Sequence, residues 1–133
     1  SCKKDKNNGT NNIPNQSVNI TIYPNDPQWA SSIGIPGGWV YVTGGVKGII
    51  IYRKSSGNYL AYEKNCSYHP ADACATVQVD ASGLYMIDFC CGSSFSLQDG
   101  TPIGGPAWRP LRQYRTIMDI ALLTITSESL NGM

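Results

Sequence analysis

The chain has little charge, one histidine and no long apolar run. Only 14% of its 133 residues are charged, and ten Lys and Arg against nine Asp and Glu leave a net charge of +1. Three of those basic residues (Lys3, Lys4, Lys6) stand among the first six positions, so the remaining body is close to neutral. A nucleic-acid partner is therefore excluded, because neutralising phosphates takes several clustered cations. No segment approaches the roughly 20 apolar residues of a membrane span. No window carries an i, i+3, i+4, i+7 stripe over three turns, so helix content should be near zero. A single His69 excludes any site built on two imidazoles. What the chain does have is five cysteines, 14 glycines and eight prolines in a length that suits one modest core.

Residues 1–17 run SCKKDKNNGTNNIPNQS, a polar, Asn-rich segment with almost nothing to bury. It reads as a flexible tether ahead of a domain at 18–133. Cys2 at the head of the tether resembles the lipid-modified start of a mature bacterial lipoprotein, although Ser1 ahead of it departs from that pattern. The resemblance implies lipidation at Cys2, stable membrane anchoring through more than one acyl chain, and a place in the bacterial cell envelope, on the periplasmic side or at the surface.

Beyond Val18 the pattern is all-β. Expected strands are 18–23, 39–42, 48–53, 59–62, 75–79 and 84–88, with a closing pair at 114–120 and 121–126; the Pro/Gly-rich stretch 24–38 reads as a loop. Short strands punctuated by turns every 8–12 residues imply a sandwich or a small barrel. Four cysteines fall in two inter-strand loops. Cys66-Ser-Tyr-His-Pro-Ala-Asp-Ala-Cys74 brings two sulfurs and His69, and Cys90-Cys91-Gly-Ser-Ser-Phe95 brings two more. Such a set suits either a metal centre or a pair of disulfides.

Cys91-Gly-Ser-Ser-Phe95, Gln98-Asp-Gly100, Gly104-Gly-Pro-Ala107, Pro110-Leu111 and Tyr114 follow one another as in the second half of a Rieske domain. The sequence resembles that family over roughly residues 38–126. The resemblance implies a stack of small antiparallel sheets with two cysteine-bearing loops at one tip. In the family, loops of form C-x-H and C-x-x-H hold a 2Fe-2S cluster, two thiolates on one iron and two imidazoles on the other. Laid on this chain, the four ligand positions fall on Cys66, Tyr68, Asp88 and Cys91, so only the first is kept. His69 stands one residue late, and the first loop is about three residues longer than the family pattern.

The resemblance also places an additional, disulfide-forming cysteine pair, which falls on Cys74 and Cys90. Cys66 and Cys91 would then face the cluster cavity and are expected to join as a second bridge. Cys66–Cys90 with Cys74–Cys91 is the main alternative pairing. Ser93 matches the family serine that hydrogen-bonds toward the cluster, and Phe95 stands where high-potential members carry a Tyr hydroxyl. The expected function is a monomeric, non-enzymatic binding or structural module that has lost its cluster, needs no cofactor and serves an unidentified envelope protein. The rival is an electron-transfer protein holding 2Fe-2S through Cys66, His69, Asp88 and Cys91. A hydrolase would need His69 beside Ser67 or Cys66 with an orienting carboxylate, and nothing in the spacing supplies one.

Overall fold

The computed structural model describes residues 13–129. Ten strands and one short helix are found there: β1 (Asn19–Ile22), α1 (Pro27–Ile33), β2 (Trp39–Val42), β3 (Ile49–Ser55), β4 (Asn58–Glu63), β5 (Gln78–Val79), β6 (Tyr85–Ile87), β7 (Ser94–Ser96), β8 (Pro102–Gly104), β9 (Gln113–Asp119) and β10 (Leu122–Ser129). Six strands form one sheet in the order β1-β10-β9-β4-β3-β2, and β5-β6-β7-β8 form a smaller one. All pairings are antiparallel. The all-β expectation therefore holds, and the expected strands coincide with observed ones to within a few residues.

Three features depart from the sequence reading. Residues 27–33 form a helix instead of a loop. Asp26 accepts from the Gln28 N–H at 3.1 Å as N-cap, Pro27 opens the first turn, and Ile33 is fully buried. At seven residues the helix is too short to show a periodic stripe, and it is held by its caps and by Ile33 and Trp29 packing on the core. Arg53 donates to the carbonyls of Ile33 and Gly34 at its far end. The second and third departures are β7 and β8, three residues each, which lie outside the strands expected from the sequence.

The run Ile49-Ile-Ile-Tyr52 is buried on both faces. Side chains alternate across a strand, so Ile50 and Tyr52 join one core, with Tyr62, Cys66, Val77, Met86, Phe95 and Leu97 between the sheets. Ile49 and Ile51 join the other, with Ile33, Tyr59, Tyr114, Leu123 and Ile125. A double-faced strand explains a continuous apolar run where a half-buried strand would alternate.

Glu63, at the end of β4, is fully buried. Its carboxylate accepts the N–H groups of Val46, Lys47 and Asn65, each at 2.8 Å, and the Tyr114 hydroxyl at 2.5 Å. It thereby fixes the 44–48 turn and the start of the first cysteine loop. Tyr62 is buried beside it and donates to the Leu97 carbonyl at 2.8 Å. Burial pushes both phenols well above the ordinary tyrosine range, reinforced by the Asp99 charge for Tyr62 and by the Glu63 bond for Tyr114.

A pH dependence follows. Above about pH 10 the unfolded chain loses these two protons while the folded chain keeps them, so stability falls with rising pH, by up to about 1.4 kcal/mol per pH unit for each phenol. Urea melts at pH 9 to 11 should show this slope, and Tyr62→Phe should flatten it. A slope unchanged in the variant would contradict the assignment.

Candidate functional site

Two loops meet at one end of the small sheet. The first joins β4 to β5. An Asn65–Thr76 bridge closes its base, and the Asn65 amide spans it inside, donating to the Pro70 carbonyl at 3.0 Å and the Ala75 carbonyl at 3.2 Å. Lys47 adds a clasp from the neighbouring turn, its Nζ donating to the Asp72 carbonyl at 2.8 Å. The second loop joins β6 to β7 and is a tight turn. Asp88 N–H donates to the Ser93 carbonyl at 2.9 Å, Gly92 N–H to the Asp88 carbonyl at 2.8 Å, and Cys90 N–H to Asp88 Oδ1 at 2.8 Å. Gly92 adopts φ +81°, a left-handed conformation that only glycine takes without strain.

Cys74 and Cys90 are joined by a disulfide, with Cα atoms 5.8 Å apart, tying the two loop tips together. A third segment, Gly104-Gly-Pro-Ala107, lies against the second loop. A Cβ on Gly105 would come within 2.6 Å of the Gly92 carbonyl oxygen, so the close approach requires glycine. Ala107 N–H donates to Ser93 Oγ at 2.9 Å. Ser67 Oγ donates to the Arg109 carbonyl at 2.7 Å and Arg109 Nη2 returns a bond to the Ser67 carbonyl at 3.3 Å, which fastens the first loop to this segment. The Ser67 hydroxyl is thus spent on structure.

Inside this frame Cys66, Asp88 and Cys91 converge, their donor atoms all within 4.8 Å of one another. Cys66 and Asp88 are 0% and 1% exposed, while Cys91 is half-buried. Cys91 Sγ lies 3.4 Å from Asp88 Oδ2 and 3.2 Å from Ser93 Oγ. Cys66 Sγ accepts the Tyr68 N–H at 3.5 Å. Burial pushes the Cys66 thiol far above its usual range, and its side-chain hydrogen bond to Asp88 raises it further.

The second bridge expected from the sequence is not formed: Cys66 and Cys91 are free thiols. Cys91 Sγ donates to Asp88 Oδ2, and the Asp88 carboxylate lies within 4.8 Å of the Cys66 sulfur as well. The alternative pairings fall with it, since Cys90 is committed to Cys74. His69 does not join the group either. Tyr68 packs against the core beside the pocket, and His69 follows in a left-handed conformation (φ +49°), exposed, with its ring edge against Tyr68. Ser93 reaches the site from the position expected of it, and Phe95 is fully buried in the core below. Arg112 donates to the carbonyls of Ile13 and Pro14 at 2.6 and 2.7 Å, so residues 13–14 lie on the domain surface. Cys2, with the rest of the tether before residue 13, lies outside the described residues.

These residues do not fit a Rieske-type 2Fe-2S centre. Two donors on one metal, at bonds of about 2.3 Å in tetrahedral geometry, sit about 3.8 Å apart, whereas donors on opposite irons are separated by the metal–metal distance as well. Cys66 and Asp88 occupy the positions that share one iron, and Cys91 belongs to the other. Here all three crowd within 4.8 Å. The fourth position is Tyr68, and no imidazole reaches the group.

Comparison with solved structures supports the fold at this point. A chain in the complex of reduced oxygenase and oxidized ferredoxin of carbazole 1,9a-dioxygenase superimposes with a TM-score of 0.55 at 15% identity, covering 87% of this chain and 97% of that one. The ferredoxin of carbazole 1,9a-dioxygenase from Nocardioides aromaticivorans IC177 gives 0.47 at 18% identity, covering 68% and 85%. No protein-family model matches the sequence, and no curated protein does. The fold is Rieske-like.

Proposed function

We propose that this chain is a Rieske-like domain that has given up its iron-sulfur cluster and acts as a non-enzymatic binding or structural module of the bacterial cell envelope, anchored through a lipid on Cys2. The observation that carries this reading is the donor set at the tip. Tyr, Asp and Cys stand at three of the four ligand positions, the donors are contracted to within 4.8 Å, and a Cys74–Cys90 bridge binds the loops. That bridge holds the tip shape without a cluster, and disulfides persist in an oxidising compartment. The half-exposed rim leaves a surface for a protein partner in the same compartment.

Electron transfer is the competing reading, favoured by the oxidized ferredoxin in the first superimposed complex and by the Cys66–Asp88–Cys91 group, which offers an atypical ligand set. Film voltammetry after anaerobic incubation with iron and sulfide separates the two. The expected result is no reversible one-electron wave; a reversible wave that disappears in Cys66→Ala would make the protein an electron carrier. Lipidation is tested by membrane fractionation of the precursor, whose association with membranes should be lost in Cys2→Ser.

A further inference from the structure

We infer that Cys66, Asp88 and Cys91 form a binding site for one thiophilic d10 metal ion, best matched by Zn2+, in the space that a two-iron cluster occupies in a Rieske centre. Two sulfurs and a carboxylate oxygen are the donors zinc takes, at about 2.3 Å for sulfur and 2.0–2.2 Å for oxygen. An ion at their centre needs mutual donor separations of just under 4 Å. The observed limit of 4.8 Å therefore requires only small side-chain adjustments, with no loop movement. Soft thiolates select zinc over magnesium or calcium.

The surroundings are those of a metal site. Ser93 Oγ accepts the Ala107 N–H at 2.9 Å and lies 3.2 Å from Cys91 Sγ, so its own proton is free to be donated to a thiolate there. Tyr68 N–H already points at Cys66 Sγ, and Cys90 N–H holds Asp88 through Oδ1, leaving Oδ2 to Cys91 Sγ. Buried charges are normally paired or metal-bound, and such outer contacts orient the ligands. On binding, the two thiol protons pass to solvent and the metal takes their place. Cys91, half-buried, gives the ion its way in, and the fourth coordination position is left to water or to a partner's side chain. The inference goes beyond the proposed function: its failure leaves that reading intact, whereas a reversible redox wave would end that reading.

The test is an anaerobic Co2+ titration of the full chain without thiol reductant, so that Cys74–Cys90 stays joined. One Co2+ per chain is expected, with a sulfur-to-cobalt charge-transfer band that one equivalent of Zn2+ abolishes. The band should vanish in Cys91→Ala and in Asp88→Asn with the far-ultraviolet circular dichroism unchanged. Ser93→Ala should weaken binding about 10- to 100-fold. Cys2→Ser should leave the titration as it is. The inference is overturned by an absent band, by a band lost only in Cys2→Ser, or by purified protein in which Cys66 and Cys91 are joined to each other.

Discussion

A triple variant, Tyr68→His with Asp88→Cys and Cys91→His, should assemble a 2Fe-2S cluster where the parent protein is expected to hold none. Those three positions, with Cys66, are where the Rieske pattern places its ligands, and the rest of the tip is already in order. The turn around Gly92, the Ser93 hydroxyl, the close approach of Gly105 and the Cys74–Cys90 bridge belong to the frame and need no change. The substitutions supply two thiolates and two imidazoles, the set that such a centre requires. They also remove the Asp88 carboxylate, to which Cys91 Sγ now donates. Anaerobic reconstitution should take the iron content from background to about two per chain in the variant, with visible charge-transfer absorption. A folded triple variant that stays iron-free would show that the loss lies in the longer first loop and not in the ligands.

Cys74→Ser or Cys90→Ser should cost about 3 kcal/mol, the loop-closure estimate for a separation of 16 residues. At this chain length that is a fall of about 10 °C in Tm by calorimetry. Beyond the stability loss, the two loops would then be held together by the Gly104–Ala107 segment, the Ser67–Arg109 pair of hydrogen bonds and the packing of Cys66 against Asp88 and Cys91. Alkylation of Cys91, measured by mass spectrometry, should accelerate in step, while the buried Cys66 stays protected longer. A Tm within about 2 °C of the parent, under 1 kcal/mol, would mean that those contacts hold the tip unaided.

The fold was largely legible in the sequence because its strands are bounded by turn residues. Two kinds of information were not. The helix at 27–33 is too short for periodicity to register, and it depends on Ile33 meeting a core built from strands far along the chain. Similarly, β7 and β8 are three-residue pieces whose pairing is set by their hairpin neighbours.

At the tip, the ligand positions and the Cys74–Cys90 pair were visible through the family resemblance. The grouping of Cys66 and Cys91 with Asp88 was not. A carboxylate in a cysteine loop reads as a poor substitute for a thiolate, and its placement facing both sulfurs appears only when the turn 88–93 is folded. The role of Glu63 is hidden in the sequence for a related reason. A single Glu at the end of an apolar strand looks like a solvent-facing residue until the N–H groups of Val46, Lys47 and Asn65 are found aimed at it.

The central claim is that this Rieske-like tip no longer holds a cluster. Its most direct test is the iron and acid-labile sulfide content of the full chain purified anaerobically from iron-replete cells, read with the visible spectrum. The account predicts neither iron nor sulfide in stoichiometric amount and no absorption beyond the aromatic band. Brown protein carrying about two irons and two sulfides per chain, as a 2Fe-2S centre requires, would contradict it.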